Sequence, residues 1–311
     1  MKPSIAFLTL GVLLSAPLAL NAKIVRLVEK NFTVQSGGTL KIQTSGGDIN
    51  IVTGTGDEVR VVAKQTIKAD SEAHADEVLK DLALTIEQQG RNVTAAAKYS
   101  KSGSWNWGST PVTVSFSVIV PSNYSVDLST SGGDIDVASI NGQAKLRTSG
   151  GNIKLQKIDG EVDGGTSGGD IALLEGTARV KLTTSGGNIH VDRAGGEADL
   201  STSGGDIEIN SVRSRLNAST SGGDIKANIE GVLKGDCSLS TSGGDVTVSV
   251  AKSAAFDLKS HTSGGDVRVD GITITIEKGA IGKSSLSGKV NGGGPVLSLG
   301  SSGGDIRIRA L

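Results

Sequence analysis

Residues 130–189 read TSGGDIDVASINGQAKLR, TSGGNIKLQKIDGEVDGG, TSGGDIALLEGTARVKLT, TSGGNI, broken at each return of one motif. The string Ser-Gly-Gly-Asp/Asn-Ile/Val begins at Ser45, Ser131, Ser149, Ser167, Ser185, Ser203, Ser221, Ser242, Ser263 and Ser302. Its spacing is 18 residues from Ser131 to Ser221, then 21, 21 and 39. A fixed period near 20 marks a stacked array, in which each unit buries its apolar face only against its neighbours. The spacing of 39 fits one period of each length, which predicts a decayed copy around Ser287-Gly288-Lys289-Val290.

Each period alternates apolar and polar residues, the mark of a strand with one buried face. Ile135 and Val137 alternate with Asp134 and Asp136; Ala144 and Leu146 alternate with Gln143, Lys145 and Arg147. The columns recur as Ile153/Leu155, Ile171/Leu173, Ile189/Val191 and Ile207/Ile209, and as Val180/Leu182, Ala198/Leu200 and Cys237/Leu239. Each period therefore holds two short strands. One turn is Ser-Gly-Gly-Asp/Asn; the other is a looser Gly turn such as Asn141-Gly142 or Asp159-Gly160. The reading is an all-β, single-chain β-solenoid (β-helix) of 18–21 residues per coil, with a narrow aliphatic interior. At the corner, Gly is expected to supply positive φ, and Asp or Asn to bond nearby backbone amides. Thr precedes nearly every copy, from Thr44 to Thr262.

The composition agrees. The chain of 311 residues has 45 Gly but only 5 Pro, and its aromatics are 2 Trp, 2 Tyr and 4 Phe. The formal charge is −1, which excludes a nucleic-acid binder held by net charge. The lone Cys237 excludes a disulfide framework within one chain, and with three His a Cys/His zinc site is not expected. Cys237 falls at an inward repeat position and reads as a small buried hydrophobe.

Lys2, the apolar run Ser4 to Leu20 and Ala22 before a polar start at Lys23 read as a secretory signal peptide over 1–22. No second apolar run of membrane-spanning length follows. The expected location is the periplasm or the cell surface. Residues 23–130 read as a less regular β-rich part with a capping role, and 131–311 as the regular solenoid. Within the former, Glu58–Thr66, Ala83–Gln88, Asn92–Tyr99 and Val112–Val120 alternate as strands. Ser71 to Leu82 is the one good helix, a small insertion with Ser71 as its N-cap.

These features resemble a bacterial putative-adhesin family, the DUF4097 type, related to adhesin head domains. The resemblance is carried by Leu40-Lys41-Ile42-Gln43-Thr44-Ser45-Gly46-Gly47-Asp48-Ile49, by Ser115-Phe116-Ser117-Val118-Ile119-Val120-Pro121 leading into Leu128-Ser129-Thr130, and by the Ser-Gly-Gly-Asp-Ile repeats. It implies an envelope or surface β-solenoid and carries no catalytic residues over.

Three features bear on chemistry. The ladder Asp48, Asp134, Asn152, Asp170, Asn188, Asp206, Asp224, Asp245, Asp266 and Asp305 could in principle recruit Ca²⁺ weakly. However, Asp follows Gly-Gly directly and Asn replaces it twice, which favours turn chemistry, so no cofactor is expected. Trp105 and Trp107 share one Gly/Ser-rich loop, Ser102 to Ser109, where an exposed aromatic pair would stack on a sugar ring or enter a partner surface. The competing reading folds them over the end of the solenoid. The Thr column lacks the paired spacing of an ice-binding face.

His74, His190 and His261 are scattered, and no Ser/His/Asp signature or pair of distinct carboxylates appears. The expectation is an exported, non-catalytic solenoid presenting a binding or adhesion surface to an envelope or surface protein or glycan. The alternatives are a periplasmic structural or envelope-stress module with a protein partner and, remotely, a carbohydrate-active β-helix enzyme.

Overall fold

The computed structural model describes residues 23–99, 111–276 and 281–311. It is a two-sided stack. One sheet has 13 strands and the other 15, and each coil contributes one strand to each. Ala144–Arg147 lies in the second sheet; the chain turns through Thr148 to Asn152 and continues as Ile153–Ile158 in the first. Successive coils pair in parallel and in register, Ile153 on Ile171 on Ile189 on Ile207, so like residues form columns. The inward columns are aliphatic and at most 2% exposed in these coils, including Ile171, Leu173, Val180 and Leu182. Cys237 is buried in the same way. An interior one side chain deep leaves no room for rings, and the largest buried aromatics, Phe116, Tyr124 and Phe256, lie toward the ends.

The N-terminal end closes with antiparallel strands. Lys23–Thr33 pairs with Glu58–Lys68 at the edge of the first sheet, and Leu82–Gln89 with Asn92–Tyr99 at the edge of the second. The helix Glu72–Leu79 links the two sheets, and the Ser71 side chain accepts from the His74 amide, as the sequence predicts. Arg26 and Lys30 sit on the inward side of the edge strand, paired with residues of the buried face. Arg26 bridges Glu72 and Asp76 of the helix at 2.6 Å each, and Lys30 donates to the Ile86 carbonyl of the opposite edge at 2.8 Å. Charged groups thus close the open end of an apolar core. No described helix is long and apolar enough to cross a membrane.

Space and sequence diverge at both ends. Gly38–Gln43 lies between Asn92–Tyr99 and Tyr124–Ser129, so the first coil is enclosed by later chain. At the other end the last coil, Val296–Ser301 with Ile306–Ala310, lies between the coil of Cys237–Thr241 and Val246–Val250 and that of Phe256–Thr262 and Val267–Asp270. The expected decayed copy at Ser287 to Val290 is therefore corrected. Ser285–Val290 runs antiparallel along Phe256–Thr262 as an end-closing strand, and the long spacing reflects this excursion.

Candidate functional site

The corner at Thr184 to Ile189 shows how the repeat uses its polar atoms. The Thr184 hydroxyl, 3% exposed, donates to the Gly169 carbonyl of the preceding coil at 2.8 Å and accepts from its own Gly187 amide at 3.3 Å. The Gly186 amide donates to the Ser167 carbonyl at 2.9 Å, and the Asn188 amide to Asp170 Oδ1 at 2.7 Å. The Ile189 amide donates forward to the Asp206 carbonyl at 2.9 Å. A corner that would strand backbone donors instead satisfies them, coil on coil.

The same bonds recur along the edge. Each Asp or Asn Oδ1 accepts the amide of the next ladder residue, as in Asp48 with Asp134, Asn152 with Asp170, Asp206 with Asp224 and Asp224 with Asp245. The ladder then runs from Asp245 to Asp305 and only then to Asp266, following the spatial order of coils. Asn serves as well as Asp because the bond needs an acceptor and no charge. At the far end the Asp266 amide, then Arg268 and Arg307, hold Asp305 below the usual carboxylate range.

The reason for Gly-Gly differs from the one expected. None of the repeat glycines has positive φ; the positive-φ residues lie elsewhere, at Gly37, Gly56 and Gly231 among others. What excludes a side chain is proximity. A Cβ on Gly187 would lie 2.0 Å from the Gly169 carbonyl oxygen, and one on Gly151 equally close to Gly133. The backbones of stacked corners fill the space that a Cβ requires.

Of the candidate contact residues, Trp105 and Trp107 lie outside the described residues. The flanks of their loop are tied together: the Tyr99 hydroxyl donates to the Val112 carbonyl at 2.7 Å and accepts the Val112 amide at 2.9 Å. Tyr99 ends its strand in the second sheet and Val112 begins its strand in the first.

The outer faces carry residues that motif reading misses. Down the second sheet, Lys41, Asp127, Lys145, Asp163, Lys181 and Asp199 stack in one column of alternating sign. Arg147 reaches Asp163 at 2.6 Å, and Arg179 reaches Asp199 at 2.7 Å. Reading every eighteenth residue from Asp127 would have found this alternation. Toward the C-terminal end the face turns to hydroxyls, with Ser201, Ser219 and Ser240 in one column. On the first sheet's outer face, His190 lies 3.1 Å from Asp192 and 3.4 Å from Glu208. His74 sits on the helix and His261 on the second sheet, so the three histidines do not converge. Opposite the Ser-Gly-Gly corner, a notch of about 330 Å³ opens beside Gly176, Ala194 and Ser211.

Residues 38–309 match the family described as Toastrack DUF4097. Among solved structures, the chain is similar to a putative cell adhesion protein from Clostridium sporogenes, at 14% identity over 92% of this chain and 100% of that one, TM-score 0.27. It is similar to a putative adhesin from Parabacteroides merdae at 12% identity over 92% and 96%, TM-score 0.44. It is also similar to a putative lipid binding protein from Parabacteroides distasonis at 13% identity over 90% and 96%, TM-score 0.44. No curated protein matches the chain.

Proposed function

The chain belongs to the Toastrack DUF4097 family, and from that premise we propose that it is an exported, non-catalytic β-solenoid presenting a binding surface in the bacterial envelope. The observation that carries this reading is the division of labour between core, corner and face. The core is aliphatic, and the corner ladder directs its hydroxyls and one oxygen of each carboxamide or carboxylate to the backbone. The two faces and the Gly-turn edge are left to carry outward, regularly spaced side chains. Rigid, repeated display of that kind suits shallow contact with an extended partner. The partner is an envelope or surface protein or a glycan, and Trp105 and Trp107 form the aromatic part of the contact. The signal-like segment 1–22 supports export.

The test has two arms. Protease treatment of intact and lysed cells, with a periplasmic control, locates the chain; protection until lysis removes direct adhesion and leaves a periplasmic partner. Binding of the purified chain to isolated envelope material is then compared with that of Trp105→Ala plus Trp107→Ala. A loss above tenfold supports the loop, and unchanged binding removes it. Turnover of an envelope glycan would replace the binding reading with an enzymatic one.

A further inference from the structure

We infer that the notch on the Gly-turn edge is a binding site for a small carboxylate of sugar-acid size, gripped between Arg193 and Arg213. The inference rests on the surface-binding reading only for its choice of ligand class, since the site is argued from its own geometry.

The notch lies over the coils where one inward column carries its smallest residues. Ile140, Ile158, Gly176, Ala194, Val212 and Ile229 follow one another up the stack. Large side chains at both ends bracket Gly176 and Ala194, and the core beside Gly176 is filled by Val180 and Leu173, 2.6 and 3.2 Å from where a Cβ would sit. The notch lies outside that core, open to the surface, and its 330 Å³ is in the range of small-molecule sites.

The pairing register also shifts between Ile209 and Val212. Bulges of this kind re-aim a side chain. Here Ser211 lines the notch, is 7% exposed, and makes no hydrogen bond to any other described residue. Every Thr of the opposite edge gives its hydroxyl to the fold, whereas the Ser211 hydroxyl stays open to solvent at the notch.

Two guanidinium groups flank the opening. Arg193 lies 2.9 Å from Glu175, whose other oxygen is 3.3 Å from Lys157. Arg193 first, and then Lys157, hold Glu175 below the usual carboxylate range, so it stays ionised and already shared between two cations. Among the described residues, Arg213 meets Glu230, through Nε and Nη2 at 3.3 Å each. Thr177 lines the notch too, but its hydroxyl is given to Asp159 at 2.6 Å. Each guanidinium has five N–H donors, and one side-chain contact at Arg193 and two at Arg213 leave most of them free. Planar forks of this kind match a carboxylate in two-point contact. Beneath them, the backbone around Gly176, Ala194 and Gly195 forms a floor for ring C–H groups, with Ser211 at its side. A hexuronate fits that combination: one carboxylate, a small ring and several hydroxyls. With no aromatic platform among the lining residues, affinity should be roughly millimolar.

The experiment is an amide chemical-shift titration of the 23–311 chain with sodium D-glucuronate, D-glucose and sodium acetate, each to about 50 mM. The expected result is saturable shifts at Gly176, Ala194 and Gly195 with glucuronate, none with glucose, and at least tenfold weaker binding of acetate. Arg213→Ala should weaken glucuronate by tenfold or more and Ser211→Ala by a few-fold, while Arg147→Ala on the far face should leave it unchanged. The amide pattern of each variant away from the notch reports that it is folded. Equal response to glucose and glucuronate, acetate binding as tightly as glucuronate, or saturation that survives Arg213→Ala would each overturn the inference. None of these results bears on the Trp loop or on location, whose tests are separate.

Discussion

The two edges of this stack do the same topological task, passing the chain from one sheet to the other, by opposite means. The Ser-Gly-Gly edge repeats one solution with little change from Thr44 to Asp305, and its hydroxyl and amide groups answer the neighbouring coil. The Gly-turn edge varies. It carries Gly142, Gly160, Ala178 and Gly196 at equivalent positions, thins its buried column at Gly176 and Ala194, and lets the register slip near Ser211. Uniformity at the first edge reflects a constraint that every coil must meet. Variation at the second shows where individual coils are released from it, and a surface free to vary is a surface able to acquire a ligand.

The sharpest way to break this contrast is to place a methyl on the constrained edge. In Gly187→Ala the new Cβ would sit 2.0 Å from a backbone oxygen of the coil beneath, and no side-chain rotation relieves that. Stacked coils would have to part, losing the Asn188 and Thr184 bonds with them. A destabilisation of about 3 kcal/mol or more is expected, visible as a large drop in the thermal midpoint. On the other edge Gly142, Gly160 and Gly196 are also close, at 2.3–2.4 Å, but the coil of Ala178 already accommodates a Cβ there, and Gly195→Ala, with its nearest approach at 3.1 Å, should cost much less. Equal losses would show that the edges do not differ.

Next comes the hydroxyl ladder. Thr184→Val keeps the shape but leaves the Gly169 carbonyl without its donor and the Gly187 amide without its acceptor. A cost of about 1–3 kcal/mol follows for buried groups left unpaired, read from the urea midpoint at unchanged slope. A cost near zero would mean that water enters the corner and that the ladder is decorative.

A finer difference lies within the uniform edge itself. The first glycine of each corner is progressively crowded along the stack. A Cβ would meet its nearest atom at 3.8 Å on Gly132, 3.6 Å on Gly168, 3.3 Å on Gly204 and 3.0 Å on Gly222. Gly132→Ala should therefore fall within about 0.5 kcal/mol of neutral, while Gly222→Ala should cost on the order of 1 kcal/mol. Four single variants compared by thermal midpoint would show this slope or its absence.

How far the sequence could be read follows from the same contrast. Strand alternation, the inward columns, the helix with its Ser71 cap and the corner ladder were all legible, because identical coils stacked in register turn a sequence period into a spatial one. Coil order was not legible. Asp245 can offer Oδ1 to the amide of Asp305 or of Asp266 with equal local chemistry, so nothing within the motif selects its neighbour. The selection comes from Ser285–Val290, which pairs antiparallel with Phe256–Thr262 and closes that side. The role of Gly-Gly was misread for a related reason: proximity between coils is a property of the stack, and one corner taken alone suggests only a turn. The notch was hidden more deeply, since Gly176 and Ala194 become neighbours of Ser211 only through sheet pairing and a slipped register. The Trp pair was visible in sequence but lies outside the described residues.

The smallest expected effect on stability is the one that most separates the edges. Arg213 is two-thirds exposed at its side chain, and its contact with Glu230 is a solvent-facing ion pair. Such pairs contribute about 0–1 kcal/mol, so Arg213→Ala should move the thermal midpoint little, within about 0.5 kcal/mol. Yet it should remove most of the affinity for a carboxylate at the notch. On the Ser-Gly-Gly edge no variant of the Thr hydroxyls or corner glycines should behave in this way, because those groups are held by the fold. Stability and binding should therefore separate on one edge and stay locked together on the other. If Arg213→Ala unfolded the chain as readily as Thr184→Val, the Gly-turn edge would be as structural as its counterpart, and its irregularity would have no functional content.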